Sequence, residues 1–561
     1  MRKLSPGALS RWLLLLGFAL TILGAKFWLI QRAGSDLPVL DQWDGEAEFA
    51  LRPWLENRLT AADILKPHNE HRIVTTKLQT LALTALNRQW DGYVETVFNA
   101  FIHLASAVLL LWCARRWLRG PPFFWFGLLL LLLFSLPFSW ENTLVGFQAQ
   151  FYYLLLFSLG HLIFSLESER FTVRWALGQL CAVLALATMA TGFLSALAVL
   201  SALGYRLVRE RRWTPQQILT ALLAGAAVVA GWAMKVDVAG HAILKAHTPF
   251  QFVFALLQLL AWPGPWFLPL VFAPAAIFIW RALRRGAGNA PDPVLLGLLS
   301  WSLLQALALA YGRGGGAVEA SRYTDLLAIN VAVGGLLILR QARPWFVGAW
   351  MVVVIGGLLT RSVHEATGAI GSLPEIHQRQ QELVRAYVAN GDPAVFENQT
   401  WPEIPYPSAP VLRQRLDTPG LRAILPWSVR TPIRLREETM PRDPHSAPTL
   451  PRGNWEIALS TRGEPEAERE EVSWRSDPVA TSTLPVLRFL VAGDLGNGSP
   501  RLRLTIKSRE GETSVIPEAP SGERWKRVTV ARPAGEWWIE ATDGDPRGWF
   551  AFTRPIEMGW T

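Results

Sequence analysis

Residues 40–72 read LDQWDGEAEFALRPWLENRLTAADILKPHNEHR and gather Asp41, Asp44, Glu46, Glu48, Glu56, Asp63, His68, Glu70 and His71, whereas most of residues 98–359 are apolar. A carboxylate can take the proton of a hydroxyl nucleophile, and imidazole exchanges protons near neutral pH. This stretch is therefore the expected place for acid/base chemistry, with Asp44 as the base and Asp41 as the alternative. Glu46, His68, Glu70, His71 and Arg72 are expected to contact substrate. Between later apolar runs stand Glu141 with Asn142, His241 and His247, and Arg313, Glu319, Arg322 and Tyr323. Arginine grips phosphate oxygens in a paired, planar way that lysine cannot copy. Arg313 and Arg322 are thus the expected anion clamp, with Glu141, Asn142 and Tyr323 beside it. The glycine-rich run of residues 312–316 would let backbone approach a ligand closely.

The elements that must position these groups follow from composition. Half of the residues are hydrophobic and only 18% are charged, below the ~25% usual for soluble domains, which indicates a polytopic α-helical membrane protein. The formal charge of +9 is spread in short basic groups between apolar runs. That is a topology signal and excludes a basic nucleic-acid face. The 27 tryptophans suit many membrane interfaces. Cys113 and Cys181 both fall in apolar segments and imply no disulfide framework.

Residues 12–30 form a first apolar run without a clean cleavage site, read as an uncleaved helix whose start Arg2, Lys3 and Arg11 keep on the cytoplasmic side. Further spans are expected at 98–117, 123–139, 147–164, 176–189, 193–207, 218–234, 266–283, 294–311, 326–339 and 345–359, about eleven in all. Residues 176–207 are read as two short helices meeting at Thr191-Gly192, and 249–262 as an interfacial or re-entrant helix. Basic groups at 115–119, 170–174, 206–212, 281–285 and 340–343 fall in alternate connections. The polar groups named above then share the outer face, with the first external loop at 32–96.

Within that loop, Thr60 and Asp63 fit a capping box that starts a short helix ending at Pro67. Residues 1–360 are expected to form the membrane domain and 361–450 a Pro-rich linker with one helix at 373–389. From 451 to 561, alternating segments WEIALS, VLRFLVAG, RLRLTIKS, RWKRVTVAR and EWWIEATD, separated by turns, predict a small all-β sandwich domain.

A first membrane helix, an acidic external loop, about ten further spans and an external β domain together resemble the C-type polytopic membrane glycosyltransferases (GT-C). The residues that carry the resemblance are Asp41-Gln-Trp-Asp44-Gly-Glu46, His68-Asn-Glu70-His71-Arg72 and Ser321-Arg322-Tyr323. The resemblance implies a polyprenyl-phosphate sugar donor, a glycan, lipid or protein acceptor, an early-loop carboxylate as base or metal ligand, and later loops that hold the lipid phosphate. It places the chain in a bacterial inner membrane with a periplasmic C-terminal domain. That domain resembles jelly-roll carbohydrate-binding domains, with Trp537, Trp538 and Trp549 as the aromatic residues.

Other assignments stay open on sequence. Asp41 and Asp44 would equally cap a following helix. His68 and His71 could hold a divalent metal with Glu70 or Asp44, although three-residue spacing is permissive rather than diagnostic. Arg322 and Tyr323 would also serve as an interfacial anchor. A lipid-linked sugar flippase is the alternative function. Its expected marks, internal repeats and mid-helix charges, are sparse in the sequence, with Lys26 the clearest.

Overall fold

The computed structural model describes residues 6–265, 269–284, 292–316, 318–341, 343–435, 447–451, 453, 455–462, 472–479 and 484–560. Arg2, Lys3, Trp266 and Arg285, used above for topology, lie outside these residues. The chain divides into two compact units, one of residues 1–35, 41–80 and 92–375, the other of 36–40, 81–91 and 376–561.

The first unit is helical. Among the described residues, eight helices are long and apolar enough to cross a membrane: 12–33, 92–114, 121–144, 146–166, 215–233, 293–313, 321–340 and 344–390. This is the architecture of a multi-pass membrane protein. The expectation of about eleven spans differs because several apolar runs make short helices. Val173–Leu186 has 14 residues and Leu194–Glu210 has 17, against the ~20 a perpendicular crossing needs. The expected reversal between them occurs at Gly192, where a Cβ would lie 2.0 Å from the Ala185 carbonyl oxygen. Pro249–Ala261 is a 13-residue helix and Ala273–Arg284 a 12-residue one.

Two irregular stretches in this unit adjoin the residues singled out from the sequence. Gln42–Leu51 is wound as a π-helix, closed by Arg52 N–H on the Ala47 carbonyl. Such wide turns often occur where side chains are re-aimed at a site. The apolar helix Pro121–Ser135 ends before Pro137, passes through one tight turn at Pro137–Ser139 and resumes as Trp140–Leu144. Proline has no N–H to continue the ladder, which frees backbone groups inside the bundle. In the tight turn the Phe138 carbonyl accepts the Thr324 hydroxyl at 3.3 Å.

The second unit carries helices Ala409–Leu416 and Pro419–Ala423 within the expected linker region, and nine strands. These are β1 Ile457–Ser460, β2 Val472–Arg475, β3 Val486–Gly493, β4 Leu502–Ser508, β5 Glu512–Ser514, β6 Gly522–Ala531, β7 Trp537–Asp543, β8 Phe550–Thr553 and β9 Ile556–Met558. One antiparallel sheet has the order β1-β8-β3-β6, with β9 also on β3, and the other β2-β7-β4-β5. Their alternation buries Trp474, Phe489, Leu504, Ile506, Trp537, Ile539 and Phe552 in one core. Trp537 is thus a core residue. Trp538 and Trp549 are half-buried, with the guanidinium groups of Arg475 and Arg462 over their rings at 4.5 and 5.0 Å.

Candidate functional site

Asp41 stands at the entrance of the π-helix, and its position is set by a small turn. His68 and His71 exchange backbone hydrogen bonds of 2.8 and 3.0 Å, with Asn69 at φ +49°, a conformation asparagine tolerates better than most side chains. The turn brings both imidazoles to one side. His68 Nε2 lies 3.6 Å from Asp41 Oδ1. Desolvation pulls the Asp41 pKa up, but the bond from His68 and the charges of His68, Arg322 and His71 outweigh it and hold the carboxyl below its ordinary value. Asp44 is half-buried one turn further on, its N–H 3.2 Å from the Asp41 carbonyl oxygen.

His71 is neutral, because burial pushes its pKa to about 4, with Arg313 adding to that push and Glu70 opposing it. Its Nδ1 accepts the Ala190 N–H at 3.2 Å. A neutral ring that accepts at Nδ1 carries its proton on Nε2, so His71 can only donate from its other edge. Glu70 Oε1 meets His241 Nδ1 at 2.6 Å. Burial would raise Glu70, yet the bond from His241 prevails and lowers it. Arg72 donates to the carbonyls of Leu65 and Met234 at 3.3 and 3.0 Å, which ties the turn to the segment after the Pro215–Ala233 helix.

The resumed helix Trp140–Leu144 clasps the start of Ser321–Gln341. Glu141 Oε2 accepts the Ser321 hydroxyl at 2.7 Å and the Arg322 N–H at 3.0 Å, while Oε1 pairs with Arg322 Nη1 at 2.9 Å. A carboxylate at a helix N-terminus also meets the positive end of its dipole. Asn142 Nδ2 donates to the Arg322 carbonyl and to Asp325 Oδ2 at 2.9 and 2.8 Å. Arg313 Nε donates to the Tyr323 hydroxyl at 2.8 Å, and both Arg313 and Arg322 lie against the Tyr323 ring.

A cavity of about 280 Å3 opens beside these groups. Its polar rim includes Glu70, His71, Arg72, Lys235, Lys245 and Arg313, and its walls include Phe151, Met189, Phe193, Trp232, Leu309 and Leu326. Asp41, Glu141 and Arg322 are not on its wall but adjoin it through His71 and Tyr323. Residues far apart in the chain are therefore gathered at one place, with Asp41 in the field of His68, Arg322 and His71.

Other sequence candidates have structural partners elsewhere. Glu46 is fully buried and shares the Gln42 amide nitrogen with Glu95, at 3.1 and 2.8 Å. Glu319 pairs with Arg361 at 2.5 Å, and His247 is exposed. The glycines at 314 and 315 admit the protein's own backbone: Gly315 N–H bonds to the Leu244 carbonyl, and a Cβ on Gly315 would lie 2.5 Å from the Ile243 carbonyl oxygen. Among the described residues, no three His, Cys, Asp or Glu side chains are grouped to hold a metal ion.

Sequence reasoning singled out Lys26 but missed the rest of a buried polar cluster beneath the clasp. Lys26 Nζ donates to Thr143 Oγ1 at 2.7 Å and the Tyr152 hydroxyl at 3.3 Å, and His103 Nε2 lies 3.6 Å from Asp325 Oδ1. His103 stacks on Tyr152 with ring centres 4.1 Å apart. All these residues are at most 3% exposed. Ionisable residues in the middle of apolar runs are the signal that would have found them. Asp325 was hidden because it follows the polar run 319–324 and reads as loop. Gln305 is also buried against the cavity, and neither of its amide atoms has a hydrogen-bond partner.

The fold and site define a multi-pass helical membrane protein with a C-terminal region of two antiparallel sheets. No protein-family model matches the chain, and no curated protein or solved structure matches it.

Proposed function

We propose that this protein is a membrane glycosyltransferase that moves a sugar from a polyprenyl-phosphate donor to a hydroxyl of a glycan, lipid or protein acceptor. The observation that carries the reading is Asp41, kept ionised beside His68 and Arg322, next to an apolar-walled cavity rimmed by Arg72, Arg313 and His71. An amphiphile with an anionic head and a hydrocarbon tail suits that division of polarity. Asp41 is the base. It takes the proton as the acceptor oxygen bonds to the anomeric carbon, and the carbon–oxygen bond to the donor phosphate breaks with its electron pair leaving on phosphate. Arg313 and Arg322 receive the developing charge, and the His71 Nε2–H donates to a phosphate oxygen. Attack from the face opposite the leaving group makes the enzyme inverting. The reading places the site on the outer face of the cytoplasmic membrane, with the N-terminus cytoplasmic and the β domain in the periplasm.

The test is incubation of purified protein with radiolabelled polyprenyl-phosphate sugars and acceptor mixtures. Donor consumption is expected in the wild type and its loss in Asp41→Asn and Arg322→Ala. Unchanged consumption in Asp41→Asn removes the base assignment. A second reading, a lipid-linked sugar flippase, is favoured by the buried Lys26, His103 and Asp325 cluster within the apolar helices, an arrangement common where ions or substrates cross. Reorientation of labelled lipid in proteoliposomes without sugar release would select it.

A further inference from the structure

The end of the first unit remote from Asp41 holds a second cavity, of about 460 Å3, lined by Ile277, Phe278, Arg281, Leu337, Ile338, Arg343, Trp345 and Phe346 among others. It lies between the Ala273–Arg284 helix, the far end of Ser321–Gln341 and the start of Pro344–Thr367. On the Ser321–Gln341 helix the cavity is lined by Leu337 and Ile338, and at ~1.5 Å per residue these lie about 23–24 Å along the axis from Arg322, most of a hydrocarbon thickness.

Its lining is part apolar and part basic. Ile277, Phe278, Leu337 and Ile338 are aliphatic or aromatic, Arg281 and Arg343 are basic, and among the described residues no acidic side chain is on the wall. Arg284 and Arg340 end the same two helices and add to the positive charge of this corner. Two tryptophans flank it with large exposed faces, Trp345 at 70% and Trp280 at 53%, and the Arg284 guanidinium lies 4.3 Å from the Trp280 ring centre. Exposed indoles beside arginine are the signature of the head-group layer, where the ring is half in hydrocarbon and half in water.

We infer that this cavity is a binding site for an anionic glycerophospholipid, whose phosphate is held by Arg281 and Arg343 and whose acyl chains lie on Ile277, Phe278, Leu337 and Ile338. Charge complementarity selects the occupant. A zwitterionic lipid brings a cation toward two arginines, while an anionic head group brings only acceptor oxygens. Basic pockets between helices at the membrane surface recognise anionic head groups in this way. The inference is independent of the sugar-transfer reading, because it concerns the opposite end of the bundle and a lipid that is not consumed.

Native mass spectrometry of the full-length protein in detergent, supplied in turn with phosphatidylglycerol, cardiolipin, phosphatidylcholine and a polyprenyl phosphate, tests it. The wild type should retain the two anionic glycerophospholipids at least tenfold better than phosphatidylcholine. The double variant Arg281→Gln/Arg343→Gln should lose that retention by roughly 25-fold, since each basic residue at an anionic head group is worth about a factor of five. Each single variant should show about a fivefold loss, which gives a readout should the double variant fail to fold. Equal retention of phosphatidylcholine, capture of polyprenyl phosphate alone, or unchanged retention in the variants would overturn the assignment.

Discussion

Lowering the pH from 7 to 5 should cost the protein about 2 kcal/mol through His71 alone. The folded ring has its pKa pushed to about 4 by burial, while an imidazole in the unfolded chain titrates near ~6.5. Because the folded value is the lower one, the unfolded chain takes up the proton first. The stabilisation is present above pH ~6.5 and is lost as the pH falls toward the folded value. At pH 5 the unfolded imidazole is roughly 97% protonated and the folded one roughly 10%, which integrates to the stated ~2 kcal/mol. The physical source is the burial of the ring, which the Glu70 carboxylate opposes and the Arg313 charge reinforces. His71→Phe keeps a ring and removes the titration. It also leaves the Ala190 N–H unpartnered, which lowers stability at pH 7 by ~1–3 kcal/mol, so the informative quantity is the pH slope and not the level. Unfolding by SDS in mixed micelles, followed by tryptophan fluorescence at both pH values, measures it. Identical slopes for wild type and His71→Phe would refute the reasoning.

If Asp41 is the base, its depressed pKa keeps it ionised, and donor consumption should show no acid limb from this residue between pH 8 and ~5. A limb near pH ~6 that Asp41→Asn abolishes would contradict that geometry. Lys77 is fully buried with its pKa lowered by burial to about 8, and its ammonium caps the carbonyls of Asp63, Ile64 and Lys66 at 2.9, 3.1 and 2.7 Å. Lys77→Met should destabilise by about 2–4 kcal/mol and expose the 56–66 segment to protease. Lys26→Met removes the donor to the Thr143 and Tyr152 hydroxyls and should cost ~1–3 kcal/mol, whereas Lys26→Met with Asp325→Asn should recover part of the loss if the two buried charges compensate one another. Additive losses in that cycle would show that the two residues do not compensate one another. Gln305→Leu should stabilise the ligand-free protein by roughly 1 kcal/mol, because it removes two unpartnered buried atoms, and thermal unfolding in detergent reads it.

Features fixed by local chemistry were legible in the sequence. The Thr60–Asp63 capping box forms, with the Asp63 carboxylate accepting the Thr60 N–H at 2.9 Å. The helix expected at 373–389 spans Ala369–Asn390, and the five expected strands are β1, β3, β4, β6 and β7. β8 was not legible, because all four of its residues are buried and alternation is lost. Short helices at 173–186 and 194–210 read as spans because apolar character alone does not fix where a helix ends. At the site, sequence could collect Asp41, His68, His71, Arg313 and Arg322 and put Asp44 ahead of Asp41 as the base, but it could not show that Asp41 stands 3.6 Å from His68. That contact depends on the His68–His71 turn, which residue types do not encode. The burial of Glu46 against Glu95 is invisible for the same reason, since it depends on a pairing 49 positions away that only the packed helices create.

Glu141 gives Arg322 an occupation before any ligand arrives. If Arg322 is the phosphate ligand proposed above, an incoming phosphate would have to share or displace a carboxylate already 2.9 Å from the guanidinium, so part of the attraction would be spent on the exchange. The converse would hold on release: the carboxylate would reclaim the arginine, and the departing phosphate would leave no bare cation behind. A grip made this way trades tightness for turnover.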